Sequence, residues 1–137
     1  MKTSYFSFKE FIYSEKARTM GISNIPNFEQ IKNIILLKER VLEKVRIAIG
    51  VPIFINSGYR TIALNNLVGG VNTSQHLFGK AADITTKDKY KDAEMYSYII
   101  THIEFDQLIR YDNFIHVSYS EGHNRGMIID KRENRRF

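Results

Sequence analysis

The sequence predicts one small α+β domain with a mainly antiparallel sheet, and three observations predict it. The chain has 137 residues, 43% of them apolar, enough for one buried core but not two. One long segment, residues 28–49, repeats apolar side chains at helical spacing, whereas several short runs elsewhere are β-branched or alternating. Helices and strands do not alternate regularly enough for a doubly wound sheet. No repeat, low-complexity tract or linker divides the chain, so residues 1–130 read as a single domain and 131–137 as a charged tail.

Taken in order, residues 5–20 read as an aromatic-anchored turn leading into a short helix, with Ser14 as its N-cap. Their aromatic side chains suit core anchoring better than a platform for cell-wall sugars. Asn24 to Asn27, with Pro26, punctuates the chain. Phe28, Ile31, Ile35, Leu42, Val45 and Ile49 then follow gaps of 3, 4, 7, 3 and 4, one helical stripe, which Ile34, Leu37, Val41 and Ala48 widen. Gly50 and Pro52 end this helix. Val51–Ile55 reads as a buried strand broken by Asn56-Ser57-Gly58, and Thr61–Leu67 as a short helix stopped by Gly69-Gly70. A polar loop at 72–75 leads to His76, and Ala81–Ile84 is a short strand. Lys87–His102 is a helix offering Tyr90, Met95, Tyr98 and Ile99 to the core. Asp106–Tyr111 and Phe114–Tyr119 form a hairpin around Asp112-Asn113, and Gly126–Ile129 an edge strand.

Composition restricts the chemistry. With no cysteine, thiolate nucleophiles, disulfides and cysteine-ligated metals are excluded, and any metal must use His, Asp or Glu. The net charge of +5 implies little about nucleic acid, because Lys131, Arg132, Arg135 and Arg136, against Glu133, concentrate most of the excess in the tail. No apolar run is long enough for a membrane span, and Lys9 and Glu10 interrupt the start before a signal-peptide core develops.

Of the four histidines, His76 sits between a polar loop and Gly79, and His116 lies within a strand; Asp83 ends another strand. Two imidazoles and a carboxylate suit zinc, and three protein ligands leave a fourth tetrahedral position open. Plainer roles fit each residue alone: a turn histidine at 76, a cap for the following helix at Asp83, a hydrogen-bonded sheet histidine at 116. His102, at a helix end, and His123, in Glu-Gly-His-Asn, have no motif around them.

The surrounding residues decide the weight. The blocks Ser57-Gly58-Tyr59-Arg60-Thr61, Leu64-Asn65, Val68-Gly69-Gly70 and Ser74-Gln75-His76-Leu77, followed by Gly79, Ala81-Ala82-Asp83-Ile84, resemble the zinc D-alanyl-D-alanine carboxypeptidase family. Phe105-Asp106-Gln107-Leu108-Ile109 with Phe114-Ile115-His116-Val117-Ser118-Tyr119 resembles that family's second signature, and Phe8-x-x-Phe11-x-Tyr13-Ser14-Glu15-x-Ala17 with Asn24-x-Pro26 its bacterial and phage leader. The resemblance implies a Hedgehog/DD-peptidase fold, zinc held by His76, Asp83 and His116, and Arg60 beside the metal as a catalytic, substrate-holding group. A permanently charged planar fork suits a carboxylate or carbonyl oxygen. Ser74 orients the loop or the substrate, or simply caps the turn.

One position departs from the pattern. A zinc peptidase needs a general base for the attacking water, and relatives place it three to five residues before the last histidine, here Tyr111, Asp112 and Asn113. Many members of this subgroup carry a glutamate where this chain has Tyr111. With an ordinary pKa of about 10, tyrosine is a poor base but a usable hydrogen-bond donor to substrate. Asp112 is the candidate base, with a turn role as its alternative, and Asp106 reads as supporting structure.

The resulting expectation is a zinc peptidase acting on peptidoglycan stem peptides next to a D-amino acid. It is expected to be a monomer without nucleic-acid partners, made in the cytoplasm without a signal peptide and released to the wall through a holin, as a phage endolysin is. The competing expectation is a noncatalytic wall-binding or virion-associated domain that keeps the fold.

Overall fold

The computed structural model describes residues 4–133. Helices α1 (Phe8–Ile12), α2 (Glu15–Thr19) and α3 (Phe28–Leu37) lead through a π turn (Lys38–Leu42) into α4 (Glu43–Ile49). Strand β1 (Phe54–Ser57), helix α5 (Ile62–Leu67), a 3₁₀ turn (Gln75–Phe78), β2 (Ala81–Thr85), α6 (Lys89–His102), β3 (Gln107–Arg110), β4 (Ile115–Ser118) and β5 (Met127–Asp130) follow.

Ser14 caps α2, its hydroxyl accepting the Ala17 N–H at 3.1 Å. In the long helix the expected single stripe breaks. Phe28 and Ile35 lie exposed, and the buried face runs Ile34, Leu37, Val41 and then Leu42, Val45, Ile49. The Glu43 N–H donates to the Lys38 carbonyl, five residues back, and the inserted residue rotates everything after it. The Glu43 carboxylate accepts from the Ser4 hydroxyl and the Tyr5 and Phe6 N–H groups, fastening the N-terminal segment there. Gly50, at φ 71°, closes α4 in the left-handed region.

The strands form one five-stranded sheet in the order β1-β2-β4-β3-β5. The expected mainly antiparallel sheet is corrected here to a mixed one. β5 runs parallel to β3, Gln107 opposite Met127 and Ile109 opposite Ile129, while the other pairs are antiparallel. Long-range hydrogen bonds at the start of β3 set this direction: the Gly126 N–H donates to the Phe105 carbonyl, and the Met127 N–H to that of Asp106. The buried Asp106 carboxylate accepts the Arg125 N–H at 3.0 Å and its guanidinium at 2.8 and 2.9 Å.

Period-two alternation gives the sheet two faces. Ala82, Ile84, Leu108, Ile115 and Val117 join the core with α4 and α6, where Met95 and Ile99 are fully buried and Tyr90, expected inside, is exposed. Across the opposite face one lateral row reads Ser57, Asp83, His116, Ile109, Ile129.

After β1 the chain passes tightly over α1. The Tyr59 N–H donates to the Phe11 carbonyl at 2.7 Å, and a Cβ on Gly58 would collide with that same carbonyl. Gly58→Ala is therefore expected to destabilise the protein by about 2 kcal/mol, because backbone must move rather than a flexible side chain; a urea melt measures it. A second expectation concerns acid. Arg125, chiefly, lowers the Asp106 pKa from an ordinary 3.8 to about 2, against the opposing effect of burial. A depressed carboxyl contributes stability above its unfolded pKa and loses it as pH falls through the folded value. About 1–2 kcal/mol should thus disappear between pH 5 and roughly pH 2, discounted for the half-exposed Arg125, and Asp106→Asn should lack this slope in melts across that range.

Candidate metal centre

The candidate metal site is assembled from two strands and one turn. Asp83 on β2 and His116 on β4 are directly paired across the strands, so their side chains project side by side. His76 arrives from the 3₁₀ turn, whose N-cap Ser74 accepts the His76 N–H at 3.2 Å. The turn closes at Gly79, φ 73°, which lies so near α3 that a Cβ would stand 2.6 Å from the Gln30 carbonyl oxygen. The Gln30 and Asn33 side chains donate to the carbonyls of Leu77 and Phe78, fixing the turn on that helix.

One ligand atom from each of His76, Asp83 and His116 lies within 4.8 Å of the others. Asp83 Oδ1 is 3.2 Å from His76 Nε2 and 3.0 Å from His116 Nδ1. Tetrahedral zinc with bonds of about 2.0–2.1 Å separates its ligands by about 3.3 Å, so the donor set fits in both chemistry and spacing. The His76 Nδ1 faces the Gly58 carbonyl at 2.6 Å, which leaves Nε2 to present its lone pair. Burial would raise the Asp83 carboxyl, but hydrogen bonds with His116 and His76 outweigh it and hold the group well below the usual carboxylate range. It is an ionised, acceptor-only group, as a metal ligand must be.

Arg60 stands beside this cluster. Its Nη2 is 4.0 Å from Asp83 Oδ2, while Nε donates to the Ser57 hydroxyl at 3.2 Å and Nη1 to Asn65 Oδ1 at 2.9 Å. Burial pulls its pKa down and Asp83 pushes it up, with burial prevailing. The fully buried Asn65 also donates to the Val71 carbonyl. A Cβ on Gly70 would strike both Asn65 and the Arg60 guanidinium, which ties the second glycine of the Gly69-Gly70 pair to the placement of that arginine.

The open cleft around these groups holds about 600 Å³ and is lined by Ser74, Gln75, Tyr111, Phe114, Arg125 and Lys131 as well as Arg60 and the three ligand residues. Tyr111 stacks on Phe114, ring centroids 4.5 Å apart. Burial, and then the charge of Asp83, raises the Tyr111 pKa, so its hydroxyl stays protonated and can donate.

Asp112 is not brought to the cleft. The Tyr111 N–H donates to the Phe114 carbonyl, closing the turn, and Asp112 sits exposed at its tip. Its carboxylate accepts the Glu133 N–H at 3.2 Å and borders a separate hollow with Asn56, Thr85 and Lys87. Asp106 is enclosed by Arg125 and Gln75. Capping of α6, the alternative for Asp83, falls to Asp88. His102 stacks on Tyr98, and His123 lies exposed in the β4–β5 loop. The contacts made by Gln75, Asn65 and the Gly58 carbonyl carry no composition or spacing signal of their own; these residues stand out only as members of the quoted motif blocks.

Comparison with known proteins bears on the same residues. Residues 4–118 match the family described as Peptidase M15. A zinc D-Ala-D-Ala carboxypeptidase from Streptomyces albus G is 43% identical over 44 residues, a stretch covering 31% of this chain and 17% of that protein. Zinc is the metal that suits both this likeness and the His-Asp-His donor set. With most of its length matched and the ligand geometry in place, the chain belongs to the Peptidase M15 family.

Proposed function

We propose that this protein is a zinc-dependent peptidase that hydrolyses peptidoglycan stem peptides at a bond next to a D-amino acid. The observation that carries the reading is the convergence of His76, Asp83 and His116 in an open cleft beside Arg60. Bound there, zinc would supply Lewis acidity, polarising a peptide carbonyl and making water acidic enough to react near neutral pH. The Arg60 fork, steadied by Ser57 and Asn65, holds a substrate carboxylate or carbonyl oxygen. The Tyr111 hydroxyl donates to oxygen that gains charge during the reaction, and Ser74 steadies the His76 turn. Arg60, Arg125 and Lys131 give the lining a cationic character suited to the carboxylates of stem peptides.

The finer parts of the reading share that basis. The α+β arrangement, with its site on one sheet face, fits a Hedgehog/DD-peptidase-like fold, and the name of the Streptomyces relative suggests the D-Ala-D-Ala linkage. Holin-type release of a phage endolysin from the cytoplasm is the route we favour to the wall. No helix among the described residues is long and apolar enough to cross a membrane.

A second reading, a noncatalytic wall-binding domain, is favoured by one observation: among the described residues, Asp83 is the only carboxylate lining the cleft. Digestion of purified peptidoglycan, followed by muropeptide chromatography, separates the two. The peptidase reading expects new muropeptides that vanish with a chelator and return with zinc, and at least a hundredfold loss in His116→Ala. Unchanged muropeptides from zinc-loaded protein would sink it. Arg60→Ala should lower kcat/KM roughly a hundredfold, and Arg60→Lys should not restore it, because an ammonium cannot form the fork. Tyr111→Phe should lower kcat by about a hundredfold with KM little changed, as loss of a donor acting on developing charge requires.

A further inference from the structure

His116 directs Nδ1 into the ligand cluster, 3.0 Å from Asp83 Oδ1, so its other nitrogen, Nε2, carries the ring proton whenever Nδ1 serves as a ligand. That nitrogen lies 3.4 Å from Gln75 Oε1. The other end of the same amide, Nε2 of Gln75, donates to Asp106 Oδ2 at 2.6 Å. Asp106 in turn accepts from the Arg125 backbone N–H and from its side-chain Nε and Nη2.

The donor and acceptor inventory allows one arrangement of these groups. An ionised carboxylate only accepts, so Asp106 draws the NH₂ end of Gln75 and turns the oxygen toward His116. An oxygen facing His116 Nε2 selects the tautomer protonated there and frees the Nδ1 lone pair for metal. His76 reaches the opposite tautomer through the Gly58 carbonyl at its Nδ1. Backbone fixes one imidazole and a side-chain relay the other.

We propose that Gln75, held by the Asp106–Arg125 pair, is a positioning residue that sets the tautomer and ring orientation of the ligand His116. The proposal rests on the metal-centre reading and is independent of peptidase activity. Outer partners of metal-bound histidines affect affinity by about 10- to 100-fold, which sets the expected effect.

The test uses the full chain loaded with zinc. Competition against a chromophoric chelator should show Gln75→Leu binding zinc 10- to 100-fold more weakly than the wild type at a temperature where melts show both metal-free proteins folded, since the variant also loses the bond to Asp106. Nitrogen-15 spectra of the zinc-loaded wild type should show a proton on His116 Nε2 and none on Nδ1, a readout that needs no variant. Equal zinc affinity in wild type and Gln75→Leu, or a proton on Nδ1 instead, would overturn the relay while leaving the metal centre standing. Failure of the wild type to bind zinc would overturn both.

Discussion

Asp83 and His116 face each other across β2 and β4, and this pairing determines which side of the sheet carries the candidate metal cluster. A slip of one residue in either strand would send a carboxylate or an imidazole into the layer occupied by Ile84, Ile115 and Val117, and would bring an isoleucine or valine out in its place. The desolvation cost of that exchange is far greater than any gain available to the displaced apolar groups. The register is therefore specified twice, by the apolar residues that must face α4 and α6 and by the polar ones that must not. Asp83 is ionised because two imidazoles meet it, and they meet it because the strands align.

The third member of the His-Asp-His cluster has no strand to hold it and depends on close packing instead. His76 lies on a short turn clamped between α3, through Gly79, and the segment after β1, through the Gly58 carbonyl. The His76 carbonyl accepts the Arg60 N–H at 3.0 Å, so the turn and the arginine come as one unit. Gly58, Gly70 and Gly79 stand where the chain crosses Phe11, Asn65 and Gln30, each too near for a Cβ. In this part of the molecule the absence of side chains at three glycines is what places those of the candidate site.

How much of this was legible in the sequence follows from the range of the forces involved. Local signals read well: the cap at Ser14, the short helix after Thr61, the stop at Gly50, the hairpin around Asp112 and Asn113, and the short strands that carry Asp83 and His116. The three candidate ligands stood out because motif blocks surrounded them, while spacing alone left each with an ordinary alternative. The buried stripe of the long helix was misread because a π turn shifts its phase, and no residue type announces one. The direction of β5 was out of reach because it depends on Asp106 meeting Arg125, partners with no local pattern linking them. Alternation places Tyr111, two residues beyond Ile109, on the His116 side of the sheet, and the turn it closes leaves Asp112 at the tip.

Asp106 ties the sheet and the cleft together. Its carboxylate anchors the loop that lays β5 beside β3, and its Oδ2 also holds the amide of Gln75, which lies against His116 of the candidate metal cluster. A change at Asp106 thus acts on fold and site at once, and a loss of zinc affinity there would not distinguish a disturbed ligand from a loosened loop. Gln75 separates them. It is half-buried on the cleft wall, anchors no strand, and touches His116 through one atom and Asp106 through another. Between a carboxylate committed to structure and an imidazole of the candidate metal cluster, an uncharged amide can carry orientation without carrying charge, leaving Asp83, among the described residues, as the only anionic side chain lining the cleft.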